Sequence, residues 1–356
     1  MINSIQYLRG IAALMVVLFH LRKFLNGAYD ISNIGNILFS KGSIGVDIFF
    51  VISGFIISLS TQKNKSNHSF ITKRIFRIYP VYFILLILLV FLLPGIKADD
   101  FHKSLYFSHL NYNDAAPKYG YSVIYVAWTL TYEIVFYGIF MISMWISWKY
   151  RTLICSLLLI IFMIVIQLSF NGNVTVNVSG GVNYSGPYAQ IISTLSSPLM
   201  IEFVVGMAIY ELHRYIVDNR VKLHKAINHK TISISIFICL WCLYFGNFND
   251  HGIDNFGIIA SAIVFLCLSY EWVKPIGYQK NFHWLGDISY SLYLFHVVAL
   301  IILSDYIGGS FAKEKGLIMF SVVLIVSLIG SHILYKIIEK PFIKAGNYAY
   351  TRLVKN

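Results

Sequence analysis

The sequence predicts an all-α polytopic membrane protein of about ten transmembrane helices with both termini cytoplasmic, a single membrane domain over residues 1–356. Three observations carry this. The chain is 57% hydrophobic and 12% charged, with a mean hydropathy of +0.68, whereas soluble domains carry about 25% charge. About ten windows, near 5–25, 43–61, 75–94, 124–147, 152–170, 194–212, 231–246, 256–270, 283–304 and 316–336, are apolar over the ~20 residues a helix needs to cross hydrocarbon. With the N-terminus inside, 20 of the 28 Lys and Arg fall in cytoplasmic segments and 8 on the other side, the bias expected of inward loops. A multi-pass protein of the cell inner (plasma) membrane follows.

The net charge of +12 does not point to a nucleic-acid partner, because the basic residues sit in short loops between apolar runs. Cys155, Cys239, Cys242 and Cys267 all lie inside apolar runs, without the ligand pairs of a zinc site or the setting of a disulfide. No metal and no thiol chemistry is expected. The first window lacks a small-residue cleavage site and carries Arg9 and His20, so it is expected to be retained rather than removed as a leader.

Inside hydrocarbon an ionisable residue costs several kcal/mol unless it is paired or wet, so each one is a candidate functional group. In window one, Arg9 and His20 are eleven residues apart, within about 20° of three full turns and about 16 Å of rise, so they share a helix face. In window two, Asp47 precedes Ser53-Gly54, a small pair suited to close helix packing; Asp47 itself reads either as a packing group or as a substrate contact. Window three opens on Arg74 and Arg77, one turn apart, which suit an anionic cytosolic ligand or a basic anchor. Tyr79 and Tyr82 follow around Pro80 and supply hydroxyls just inside the membrane.

Window four buries Glu133 among aromatics, where a carboxylate should face His20, an arginine or a watery pocket. The segment 171–193 is uncharged and is expected outside. Window nine runs Asp287-Ile288-Ser289-Tyr290-Ser291 to His296, which reads as an interhelical hydrogen-bonding group or as a substrate contact. Glu202, His332 and Glu339 read as structural.

Taken together, Leu8-Arg9-Gly10 with His20, Phe49-Phe50-Val51-Ile52-Ser53-Gly54-Phe55, Arg74-x-x-Arg77 before Ile78-Tyr79-Pro80, Trp128-Thr129-Leu130-x-x-Glu133, Ser289-Tyr290-Ser291-Leu292-Tyr293-Leu294-x-His296 and Glu339-Lys340-Pro341-Phe342 resemble the acyltransferase-3 family of integral membrane O-acyltransferases. The landmarks come in the family's order and cover nearly the whole chain. The resemblance implies transfer of an acyl group, usually acetyl from acetyl-CoA as co-substrate, to a hydroxyl of a cell-surface carbohydrate or glycolipid such as O-antigen, capsule or exopolysaccharide. It makes His20 the catalytic residue and Arg74 and Arg77 contacts of coenzyme A. The chain runs about twenty residues past the tenth window, where many relatives continue into an extracytoplasmic hydrolase-like domain, so a stand-alone form is expected.

In this reading Arg9 joins the coenzyme A site, and Asp47, Tyr79, Tyr82 and His296 are substrate contacts. His20 takes the proton of the acceptor hydroxyl, or carries the acyl group itself. Glu133 orients the imidazole. The rival from another class is a transporter or flippase of lipid-linked sugars, which ten spans and buried charges also fit. No pair of interrupted helices in corresponding halves marks a repeat-built transporter. Oligomeric state is not legible in the sequence.

Overall fold

All ten apolar windows are helical along most of their described length, since hydrocarbon offers no water and every backbone N–H and C=O must be satisfied within its own segment. A computed structural model describes residues 2–93, 95–221, 228–303 and 315–353, and among these there is no strand. The end of the ninth window at residue 304 and most of the 305–315 connection lie outside the described residues.

The helices are α1 (Asn3–Leu21), α2 (Ile34–Phe39), α3 (Gly45–Ser60), α4 (Asn67–Leu92), α5 (Ala98–Leu105), α6 (Trp128–Ile146) and α7 (Arg151–Asn171). They continue as α8 (Ala189–Ser196), α9 (Met200–Asp218), α10 (His229–Phe245), α11 (Phe256–Val273), α12 (Lys280–Ile301), α13 (Leu317–Leu334) and α14 (Lys340–Leu353). Among the described residues, eight helical stretches are long and apolar enough to span a membrane. The sixth window differs from a simple span: α8 and α9 are long and apolar enough only when taken together, and they are bent by 62° at the break between them. Ser197 precedes Pro198 and takes an extended backbone (ψ 130°), which a residue before proline favours over helix. The seventh window is α10, shorter at 17 residues. α4 starts earlier than its apolar stretch because the Ser66 hydroxyl accepts the Ser69 N–H at 3.2 Å and caps the helix. The tenth window continues through a π-turn at Tyr335–Glu339 into α14, and that turn carries Glu339 inward, where its carboxylate accepts Ser291 Oγ–H at 2.6 Å.

Two glycine seams bring the central helices together. A Cβ on Gly54 of α3 would lie 2.2 Å from the Phe203 carbonyl oxygen of α9, and one on Gly206 of α9 would lie 2.0 Å from the Val51 oxygen of α3. At the α1–α12 seam, Cβ atoms on Gly10 and Gly286 would lie 2.7 Å and 2.3 Å from backbone atoms of the opposite helix. With lipid tails as apolar as leucine, such close approach supplies the packing that holds membrane helices together. Gly206→Leu must therefore separate α3 from α9. It is expected to cost about 1–3 kcal/mol or more, read as a fall of several degrees in the thermal unfolding midpoint of the detergent-solubilised protein; an unchanged midpoint would show the seam to be loose.

The far end of α3 is tied to α7 by Arg151, whose side chain is fully buried. Its guanidinium donates to Thr61 Oγ1 (2.9 Å), the Trp148 carbonyl (2.9 Å) and the Ser58 carbonyl (3.1 Å). A cation here satisfies carbonyls left open at a helix C-terminus.

Candidate active site

Packing α1, α3, α4, α6 and α12 together leaves two chambers back to back. The first, of about 100 Å³, is bordered by Arg9, Arg74, Arg77, Glu133 and Ser289. Arg9 reaches from α1 to α12, where Nη2 donates to Ser289 Oγ at 3.1 Å. Arg74 Nη2 donates to Ser60 Oγ at 2.8 Å, while its guanidinium lies 5.7 Å from the centroids of both Phe70 and Tyr137. Glu133 accepts the Ser53 hydroxyl at 3.1 Å and the Tyr137 hydroxyl.

Three guanidiniums thus share a confined space with one carboxylate, and among the described residues no salt bridge pairs any of the three with an acid. Arg74 Nε is buried without a hydrogen-bond partner. A buried donor of this kind is costly unless something accepts from it. Glu339 and Asp287 also act electrostatically on Arg9 from outside the lining, and chemically the chamber can accept an anion with several acceptor oxygens.

The second chamber, of about 470 Å³, is bordered by His20, Arg22, Lys118, Tyr125, Trp128 and His251. His20 closes the last turn of α1, edge-on to Tyr125 at 5.1 Å and tilted against His296 at 5.3 Å between ring centroids. His296 is fully buried; its Nδ1 meets the Leu292 carbonyl at 3.0 Å and its Nε2 has no partner. His251, from the segment between α10 and α11, donates from Nδ1 to Asp47 Oδ2 at 2.8 Å, and the Gly252 N–H donates to Asp47 Oδ1 at 2.9 Å. Val46 and Tyr293 border both chambers and form the partition. Tyr293 is fixed there by its hydroxyl, 2.7 Å from the Val126 carbonyl and 2.9 Å from Thr129 Oγ1.

The fold brings Arg9, Arg74 and Arg77 to one place, and His20 and His296 to another. Five expectations are altered, the first being that His296, expected as a substrate contact, is fully buried against His20 and borders neither chamber. Glu133 joins the arginines and makes no contact with His20, because it lies five residues beyond Trp128 on α6, about 7.5 Å deeper along the helix. Asp47 does not border either chamber; it stands behind His251 and is fully buried. Tyr82 faces the core, where its hydroxyl donates to the Ser104 carbonyl at 2.7 Å. Tyr79 borders an apolar lateral cleft of about 230 Å³ between α4 and α6, beside the arginine chamber rather than in it.

His251 was not apparent from the sequence, because it lies in the polar stretch Asn249-Asp250-His251-Gly252 between windows. The available signal was Asp47 itself, an intramembrane acid in need of a partner. Another buried histidine, His109, is a packing group. It sits 5.3 Å from the rings of Tyr112 and Tyr119, and burial pushes its pKa down to about 3, so it is neutral.

The model of the family described as "Acyltransferase domain" matches residues 2–336. The chain is also similar to the "Exopolysaccharide production protein ExoZ" of Rhizobium meliloti (strain 1021), with 27% identity over 326 residues, covering 86% of this chain and 92% of the relative. No solved structure matches the chain. With the match running through α1 to α13, and five of the six landmark motifs within that span, the chain belongs to the acyltransferase-3 family and is a multi-pass membrane acyltransferase.

Proposed function

We propose that the protein transfers an acyl group, acetyl in the first instance, from a cytosolic coenzyme A thioester to a hydroxyl of a cell-surface or lipid-linked polysaccharide at the inner (plasma) membrane. The observation that carries this reading is the pair of chambers separated by Val46 and Tyr293, arginines on one side and His20 on the other. An arginine chamber open toward the cytosol, where acyl-CoA is made, is supported by the Lys and Arg distribution. Phosphate oxygens of the donor accept from Arg9, Arg74 and Arg77, with Glu133, fixed by the Ser53 and Tyr137 hydroxyls, beside them. The extended pantetheine arm carries the thioester toward the partition, where His20 serves the transfer. The acceptor enters the larger chamber from the other side, with Tyr125 and Trp128 as flat aromatic faces for a sugar ring. A polysaccharide acceptor draws its support from the relative named for exopolysaccharide production.

The test is the O-acyl content of surface polysaccharide, by mass spectrometry and NMR, in cells lacking the gene and in cells with it restored. One acyl group is expected to vanish on deletion and return with the gene. A polysaccharide that keeps its acyl groups while its surface amount falls would overturn the reading in favour of export.

A further inference from the structure

The larger chamber holds two histidines with opposite electrostatic settings. The titratable groups acting on His20 are His296 of α12 and the cations Arg22, Lys23 and Lys118, none of them an acid, and neither of its ring nitrogens has a hydrogen-bond partner among the described residues. His251 borders the same chamber, and its ring is fixed at Nδ1 by the Asp47 carboxylate. Asp47 is held in turn by the Gly252 N–H, and the fully buried Glu202 carboxyl of α9 lies against it on the side away from the chamber lining. With Nδ1–H committed to a carboxylate, Nε2 carries the free lone pair. The Trp128 and Phe256 rings, 5.6 Å and 6.2 Å away between centroids, confine the imidazole. A base that becomes an imidazolium during the reaction needs a counter-charge, and of the two only His251 has one.

We propose that His251 is the general base for the acceptor hydroxyl, with Asp47 as its positioning residue. The proposal rests on the acyl-transfer reading and divides the work between two histidines. The hydroxyl O–H bond breaks and its proton goes to His251 Nε2. The hydroxyl oxygen forms the ester bond to the acyl carbon, and the bond from that carbon to the thioester sulfur breaks. The thiolate leaves and takes up the proton that His251 returns, so an alcohol and an acyl thioester give an ester and a thiol. His20, which has no carboxylate beside it, serves the acyl group instead, as a neutral donor toward the carbonyl oxygen where negative charge develops.

The experiment uses membrane vesicles, radiolabelled acetyl-CoA as donor, and as acceptor the polysaccharide isolated from cells lacking the gene. His251→Gly and His251→Gln are expected to lower kcat by about 10²–10⁴-fold with KM for acetyl-CoA unchanged, and added imidazole is expected to restore part of the rate in His251→Gly alone. Asp47→Asn is expected to lower kcat without changing either KM, and to add nothing in the His251→Gly background, since both changes remove one unit. Wild-type kcat in His251→Gln, or a loss in His251→Gly that imidazole does not relieve, would overturn the assignment and leave acyl transfer standing. Absence of labelling with the wild-type chain would instead overturn the acyl-transfer reading, and this assignment with it.

Discussion

Substituting His20 with alanine is expected to abolish acyl transfer, lowering kcat by about 10³-fold or more while the protein inserts normally and still binds coenzyme A. The imidazole sits at the end of α1 on the chamber opposite the arginines, with the Tyr125 and His296 rings 5.1 Å and 5.3 Å away between centroids. Loss of a group that acts on the reacting atoms removes stabilisation present only in the transition state, so kcat falls and donor KM does not. The measurement is ester content of the polysaccharide at matched membrane levels of protein, with coenzyme A binding as the control for folding. Undiminished acylation would remove His20 from the reaction and with it the two-chamber mechanism.

The second large effect concerns the donor end. Arg77→Lys and Arg74→Lys keep the charge but lose the planar fork that meets two phosphate oxygens at once. Each is expected to raise KM for acetyl-CoA by about tenfold or more, the equivalent of ~1.4 kcal/mol, with kcat changed less. Arg77 is the cleaner test, because no hydrogen bond to it is described, whereas Arg74 also donates to Ser60 and lies against Phe70 and Tyr137. The double substitution Arg74→Ala with Arg77→Ala should make saturation with donor unreachable. Titration of radiolabelled acetyl-CoA in vesicles measures this, and an unchanged KM would show that the phosphates bind elsewhere. Because the effect is on donor KM and that of His20 on kcat, the two predictions separate binding from transfer.

The partition between the chambers explains why residues near one another in sequence have different duties. Trp128 and Glu133 lie on one helix, yet Trp128 borders the histidine chamber and Glu133 the arginine chamber. Tyr293 and Val46 touch both sides, and in the proposed reaction it is at their level that thioester and acceptor would meet. Tyr293 is anchored through its hydroxyl to the start of α6, which ties the partition to the helix that carries Glu133.

Much of this is legible in the amino-acid sequence. Lipid penalises every exposed polar group one residue at a time, so apolar windows and the rare charges within them can be read along the chain without knowing what they touch. The spans, the shared face of Arg9 and His20, and the one-turn spacing of Arg74 and Arg77 follow from residue type and helical period. The bend at Pro198 was also local, a restriction on the residue before proline that a count of apolar residues does not weigh.

Partnership was decided only by the tertiary structure. Which of several polar groups meet depends on how helices rotate and how deep each residue sits, and glycine seams such as Gly54 against α9 and Gly10 against α12 set both. Tyr82 and Tyr79 share a helix with the paired arginines, but rotation turns Tyr82 into the core and Tyr79 to a lateral cleft. Asp47 and His251 lie 204 residues apart, one in an apolar helix and one in a polar connection, and no periodicity links them. A buried carboxylate announces that it needs a partner, because an unpaired charge is too costly in a low-dielectric interior; packing alone chooses which one it gets.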